Sequence, residues 1–434
     1  MKRTSLVSLA LAIAGAAALA VGATAPATAA TTPAAAPATS GVYTVHPIVE
    51  KATLATSALK PSFTPADCLA QTGGAVACQT PQSIRAAYDI PATINGVPAG
   101  TGQTVVIVDA FGSPTVASDL ATFSQTFGLP APHLTVYYPG GKPTWNGRGT
   151  QTGWAEETSL DVQWAHAVAP GADIALVVAA NDHGASLDNA VRYAVDNRLG
   201  NVLSMSYGEA DYLISSPHAN NGQTTQVQKT FATAAAAGMS LFASSGDDGS
   251  DNGAGYPNFG FPASDPNVTA VGGTNVWAGS GLNKPHDTVW GDYADCPLTC
   301  AFGVVGETGG APSLFLPKGG SDVAYNASVY TGVLTYLGFL GGDANGLYYF
   351  GGTSAGSPQW AALTADTIQA VGHTVGNVGQ RYAAGWAAKG ILFDVTQGSN
   401  ITPTYSGGYS ATAGWDRPTG WGTPDVGRII ADLR

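Results

Sequence analysis

The chain has 434 residues, of which 44% are hydrophobic and only 11% charged, and its formal net charge is −12. That length allows a sizeable core, in one large α/β domain or two smaller ones. The acidity argues against nucleic acid or anionic membranes as partners, and no basic stripe reverses it.

Residues 1–30 read as a signal peptide. Lys2 and Arg3 open it, an apolar run follows from Leu6 to Val21, and Ala27-Thr28-Ala29 supplies small residues for cleavage. The run is too short and too rich in Ala and Gly for a membrane span, so the mature protein is expected to be soluble and exported. Residues 31–80 are Ala/Pro/Thr-rich at first and then irregular, which reads as a linker and N-terminal arm. The four cysteines form two close pairs, Cys68 with Cys78 and Cys296 with Cys300. In an exported chain this favours two small-loop disulfides; the alternative is a metal site, whose usual spacings are missing.

Residues 81–434 form the expected main domain. Thr104–Val108 is a β-branched run followed by a turn, and Val116–Phe127 is helical. Strands are expected at His133–Tyr138, Ile174–Val178, Val202–Ser206 and Ser240–Ala243. Helices are expected at Ala155–Val168, Leu187–Asn197 and Val227–Ala237. This alternation predicts βαβ units, with a mostly parallel central sheet and helices on both faces. The loops after Val108, Val178, Ser206 and Ala243 should then line the site, because such sheets bind ligands at strand carboxyl ends. Residues 275–350 are less regular and read as surface loops and hairpins. Gly351-Gly352-Thr353-Ser354 precedes an Ala-rich helix, Trp360–Val371, and Phe393–Trp421 is Gly- and Asp-rich without periodicity.

Several residues carry chemistry. Ser354 would place its hydroxyl at the positive end of a helix macrodipole, which suits a nucleophile, although serine is also an ordinary helix cap there. Glu157 and Asp161 are spaced i and i+4, one turn apart on one helix face. Either they share a proton or they form a solvated acidic face; the flanking Leu160, Trp164 and Ala165 predict a half-buried position. His166 lies about 180° round the helix from Glu157 and about 140° from Asp161 at 100° per residue, so it reads as a packed histidine. Asp247, in Ser245-Gly246-Asp247, is either an Asp-Gly turn or a protonated acid that donates to an oxyanion.

Taken in order, Glu157-x-x-x-Asp161, Val202-Leu203-Ser204-Met205-Ser206-Tyr207-Gly208, Ser245-Gly246-Asp247, Phe261-Pro262-Ala263-Ser264, Val271-Gly272-Gly273-Thr274 and Gly352-Thr353-Ser354-Ala355 form a set. With it the chain resembles the sedolisin, or serine-carboxyl peptidase, family, a branch of the subtilisin-like fold. The resemblance runs from about Thr80 to the end. It implies a three-layer α/β domain in which Ser354 is the nucleophile, Glu157 the base, Asp161 its holder and Asp247 the oxyanion donor. It implies hydrolysis of polypeptide substrates at acidic pH, by endopeptidase or tripeptidyl exopeptidase action. It also implies one structural calcium ion, bound by the Asp394 and Asp416 side chains and the Val395, Thr412 and Gly414 carbonyls; mixed carboxylate and carbonyl oxygens suit calcium. Two ordinary loop aspartates are the plainer account of Asp394 and Asp416.

The chain departs from the family in two places. Only about fifty residues separate the signal peptide from the main domain, too few for the folded prosegment usual in sedolisins. Asp109 follows the first strand, where ordinary subtilisin-like enzymes place a triad aspartate. The rival from another class is a catalytically silent secreted binding protein on the same scaffold. Nothing in the sequence suggests more than a monomer.

Overall fold

The computed structural model describes residues 42–434, except 46, 55–58, 60–61, 211–220, 277–286, 293–305, 314–315 and 403–406. The signal peptide and the Cys296/Cys300 pair lie outside the described residues.

The chain enters through Ile48–Lys51 (β1) and two short helices, Pro65–Gln71 (α1) and Pro81–Tyr88 (α2). Thr64 and Thr80 cap these helices, each followed by Pro at the first helical position. Cys68 in α1 is disulfide-bonded to Cys78. The alternating part follows as Thr104–Ala110 (β2), Val116–Phe127 (α3), His133–Tyr137 (β3), Thr150–Val168 (α4), Asp173–Ala179 (β4), Gly184–Asp196 (α5), Val202–Met205 (β5), Asn221–Ala236 (α6) and Ser240–Ser244 (β6). Thr269–Asn275 (β7), Thr288–Val289 (β8) and Val323–Asn326 (β9) extend the sheet. A hairpin, Val333–Leu337 (β10) and Gly346–Gly351 (β11), leads to Gly356–Val371 (α7), and Val426–Leu433 (α8) ends the chain.

The central sheet has eight strands in the order β8-β7-β6-β5-β2-β4-β3, with β9 also pairing β7. All its pairings are parallel except β7 with β8. The order reverses between β2 and β5, and this switch point is where a sheet of this kind offers its crevice. Helices α4 and α7 cover one face and α5 and α6 the other, each over its own apolar cluster. This is the three-layer architecture expected from the sequence.

Two expectations need correction. Residues 275–350 are not simply surface loops. Val323–Asn326 is a buried strand paired with β7, and Val333, Leu334 and Phe350 of the hairpin are fully buried. These strands are short, and their burial comes from partners far along the chain, so no local period marks them. Helix α4 is not half buried either. Every residue from Glu157 to Val168 is buried, because the helix is covered by α3, α7 and the β10–β11 hairpin as well as the sheet. Indoles fix this packing: Trp164 Nε1 donates to the Leu334 carbonyl at 3.1 Å, and Trp360 Nε1 to the Ala324 carbonyl at 3.1 Å.

Candidate active site

The turn before Ser354 is built by close packing. Gly352 has φ 107°, a conformation that favours glycine, and a Cβ there would stand 2.6 Å from Asp247 Oδ2. Gly351 is extended; its need for glycine is space, since a Cβ would meet the Val329 nitrogen at 2.6 Å. Thr353–Ala355 forms a short 3₁₀ turn that runs into α7. Ser354 is 4% exposed, and its Oγ donates to the Ser206 carbonyl at a long 3.4 Å. Ser206 Oγ returns a 3.4 Å bond to the Ser354 carbonyl.

Asp247 lies just past the carboxyl end of β6, in the loop where a ligand site belongs. Its Oδ1 accepts from the Thr353 nitrogen at 2.8 Å and from Thr353 Oγ1 at 2.7 Å. The residue before Ser354 thus fixes the orientation of this carboxyl group. Thr353 Oγ1 also accepts from the Gly246 nitrogen at 3.1 Å, which ties the β6 loop to the turn.

Glu157 and Asp161 project from α4 into the same buried region and are both 0% exposed. Neither carboxyl group accepts a hydrogen bond of ordinary donor geometry, yet the two interact with each other, Glu157 also with the Ser354 hydroxyl and Asp161 with the Ser206 hydroxyl. Burial pushes Glu157 well above the usual carboxylate range, Asp161 and Asp109 push it further, and interaction with the Ser354 hydroxyl opposes them. Asp161 is raised by burial and by Asp109, and held back by Ser206 and Glu157. Asp109, at the end of β2, is also 0% exposed; burial pushes it up to about 7, and Thr158 opposes. Three carboxyl groups this deep and this close do not all ionise together, so the cluster retains protons.

The structure therefore brings Ser354, Glu157, Asp161 and Asp247 to one place and adds Asp109. The sequence marked Asp109 only by its position after the first strand, where ordinary subtilisin-like enzymes place a triad aspartate; in the structure it joins the acidic group on α4. His166 points elsewhere. Its Nε2 is 3.0 Å from the Pro130 carbonyl, and burial lowers it to about 4. Of the loops expected to line the cleft, those after Ser206 and Ala243 do, together with Thr44 and Val45 of the arm. The arm's presence there has no signal in the sequence.

The C-terminal loops bring Asp394 and Asp416 near each other. Asp394 Oδ2 accepts from the Gly414 nitrogen at 2.8 Å. Asp416 is 5% exposed; its Oδ1 accepts from the Thr419 nitrogen at 2.9 Å and from Thr419 Oγ1 at 2.8 Å, and its Oδ2 from the Thr412 nitrogen at 3.1 Å. Burial raises Asp416 and Asp394 adds to this, against those three donors. No group of three or more His, Cys, Asp or Glu side chains that could hold a metal occurs among the described residues.

Residues 147–422 match the sequence profile of the subtilase family. The chain belongs to the subtilase family. It is 31% identical over 370 residues to sedolisin of Pseudomonas sp. (strain 101), covering 78% of this chain and 59% of that protein. It is 31% identical over 384 residues to kumamolisin of Bacillus sp. (strain MN-32), covering 82% and 63%. The solved structure of Pseudomonas sedolisin with two molecules of pseudo-iodotyrostatin superposes with a TM-score of 0.69 at 27% identity, over 82% of this chain and 98% of that one. These relatives lie in the sedolisin branch that the motifs indicated. The chain spans about three-fifths of the length of these two curated relatives. No helix among the described residues is long and apolar enough to cross a membrane.

Proposed function

We propose that this subtilase is a serine-carboxyl endopeptidase that hydrolyses polypeptides in acidic surroundings. The observation that carries the reading is the convergence of the Ser354 hydroxyl, the buried Glu157–Asp161 pair and Asp247 at one strand-end crevice. Ser354 Oγ attacks the scissile carbonyl carbon as its proton passes to Glu157. Glu157 and Asp161 share one negative charge, so the arriving proton is matched by a shift of the shared proton toward Asp161. The developing oxyanion takes a hydrogen bond from Asp247 in its protonated form. The proton on Glu157 then passes to the leaving amine, and water releases the acyl group by the reverse route.

Two limits on pH follow. The rate rises as the Glu157–Asp161 pair ionises once, and falls when Asp247 loses the proton it donates. Both steps concern carboxyl groups, which supports an acidic optimum. The test is a pH–rate profile on a denatured protein, with product masses read by mass spectrometry. Hydrolysis should peak in the acid range and vanish in Ser354→Ala. An unchanged rate through about pH 8 would remove the carboxyl mechanism, since it requires Asp247 to keep the proton that it donates to the oxyanion. Hydrolysis surviving in Ser354→Ala would remove the nucleophile. Internal fragments mean endopeptidase action, and a ladder of N-terminal tripeptides means exopeptidase action.

One structural calcium ion at the C-terminal loops belongs to the same reading. Two carboxylates converge there, neither paired with Lys or Arg among the described residues, a donor set suited to a hard cation. Asp394 and Asp416 would bind through side chains, and Val395, Thr412 and Gly414 through carbonyls. The reading also makes residues 1–30 a cleaved export signal and the mature protein a secreted monomer.

A further inference from the structure

Two hydroxyl groups follow one another along the strand at the switch point of the sheet. Ser204 lies in β5 and Ser206 just past its end, and alternate residues of a strand share a face. Both meet α7 or the turn that opens it. Ser204 Oγ and Ser357 Oγ are 2.9 Å apart, an ordinary bond between hydroxyls. Ser206 behaves differently. Its Oγ donates to the Ser354 carbonyl at 3.4 Å while Ser354 Oγ donates to the Ser206 carbonyl at 3.4 Å, so the two residues close a ring through each other's carbonyls. Both bonds are longer than the roughly 2.5–3.0 Å usual between a hydroxyl and an oxygen, so neither proton is firmly held. Ser206 and Ser354 are both buried, which leaves their protons to protein acceptors.

A hydroxyl carries one proton, and each of these two faces two acceptors. The second acceptor of Ser354 is the Glu157 carboxyl group, and that of Ser206 is the Asp161 carboxyl group. The fold produces this pairing. Ile107 of β2 pairs with Ser204, so two residues further along both strands Asp109 and Ser206 are neighbours. The groups that bear on Asp161 are Glu157 of its own helix, Asp109 of β2 and the Ser206 hydroxyl; Asp247 of the β6 loop bears on Glu157. Apart from the proton shared with Glu157, Ser206 is the donor in this set that a charge on Asp161 can draw on.

We propose that Ser206 is a positioning residue that mirrors the nucleophile: its proton turns from the Ser354 carbonyl to Asp161 as the Ser354 proton turns from the Ser206 carbonyl to Glu157. This rests on the peptidase reading of Ser354 and Glu157. While the acid pair holds both protons, the ring of carbonyl bonds is closed and the Ser354 hydroxyl points away from its base. When the pair loses one proton, the charge draws both hydroxyls onto the carboxyl groups, which opens the ring and aims the Ser354 proton at Glu157. No covalent bond changes; the step is two hydroxyl rotations. By donating to Asp161, Ser206 lets the pair ionise at a lower pH than the two acids would without it.

The experiment uses the full-length chain. Ser206→Ala removes the donor and keeps both carbonyls. The rising limb of the pH–rate profile on a denatured protein should move up by about one pH unit, a tenfold change in the proton affinity of the pair, while the falling limb set by Asp247 stays in place. Difference infrared titration without substrate, with the protonated-carboxyl band assigned by its change in Asp161→Asn, should move by the same amount. Ser206→Thr, which restores a hydroxyl, should return both midpoints to the parent values. Ser206→Cys, close in size and a weaker donor, should give a smaller shift, and it carries the test if the alanine chain does not fold. A rate lowered equally at every pH, or an infrared midpoint that does not move, overturns the proposal and leaves Ser206 as packing. An infrared shift in a chain that never hydrolyses protein would remove the peptidase reading and keep the paired hydroxyls; hydrolysis with an unmoved midpoint does the opposite.

Discussion

Two acidic regions of this molecule are buried to similar depth and built in opposite ways. On α4, Glu157 and Asp161 are 0% exposed and accept no hydrogen bond of ordinary geometry, and Asp109 beside them is buried in the same way. In the C-terminal loops, Asp416 is 5% exposed but accepts three hydrogen bonds, two of them from backbone N–H groups. Burial alone disfavours the charged form, and donors restore it. The first arrangement holds protons that can be moved. The second surrounds its carboxyl group with donors that oppose the upward shift, and shapes loops around it. On the proposed reading the same residue type serves chemistry in one region and architecture in the other, and the difference lies in the supply of backbone N–H groups.

The largest effect that would break the comparison is at Glu157. Glu157→Gln keeps the shape and removes the titrating oxygen, so kcat should fall by about 10³-fold or more, as for a base acting in a catalytic unit. His166→Ala should lower stability, since it opens a packed site, yet leave kcat of the folded enzyme within a few-fold of the parent. A severe loss in His166→Ala with little change in Glu157→Gln would move proton transfer from the acidic cluster to an imidazole.

A second effect concerns stability. Asp109 is raised to about 7 in the folded chain, and Glu157 and Asp161 are raised as well, chiefly by burial. A carboxyl whose folded value exceeds its unfolded one binds its proton more tightly in the native state. Its contribution is therefore intact below the unfolded value, near pH 4, and is lost as pH rises to the folded value and beyond. The protein should unfold more easily at about pH 8 than at about pH 5, the reverse of acid denaturation. Asp109→Asn removes one such group, and the slope of unfolding free energy against pH should become shallower by up to about 1.4 kcal/mol per pH unit. Urea unfolding at a series of pH values measures this; identical slopes would mean that Asp109 ionises freely in the folded chain.

Much of the scaffold was legible because it is local. Val116–Phe127 forms over the expected residues, with Gly128 at φ 66° stopping it, and the β-branched run at 104–108 became the strand at the centre of the sheet. The i, i+4 spacing of Glu157 and Asp161 alone puts both on one helix face. What was not legible depends on distant partners. Asp109 is 48 residues before Glu157, and only the order of β2 and β4 beneath α4 brings it there. Tethering of Asp247 by Thr353 spans more than a hundred residues. The strand at 323–326 exists only because of neighbours supplied by other parts of the chain, so it leaves no periodic trace.

The smallest effect lies in the loop region and tests the other half of the comparison. If Asp394 and Asp416 hold a calcium ion, a chelator should lower the melting temperature by about 2–4 °C, the shift that about 1 kcal/mol produces in a domain of this size class or somewhat smaller. Excess calcium should restore it. The pH–rate profile measured well below melting should keep its shape, because the ion sits among loops and not among the carboxyl groups of α4. Asp394→Asn should lower the melting temperature by a similar amount and abolish the response to chelator, which ties the effect to this site. A melting temperature indifferent to chelator and to calcium would leave the three hydrogen bonds to Asp416 as the whole device. The tail would then be ordered by hydrogen-bond donors without an ion.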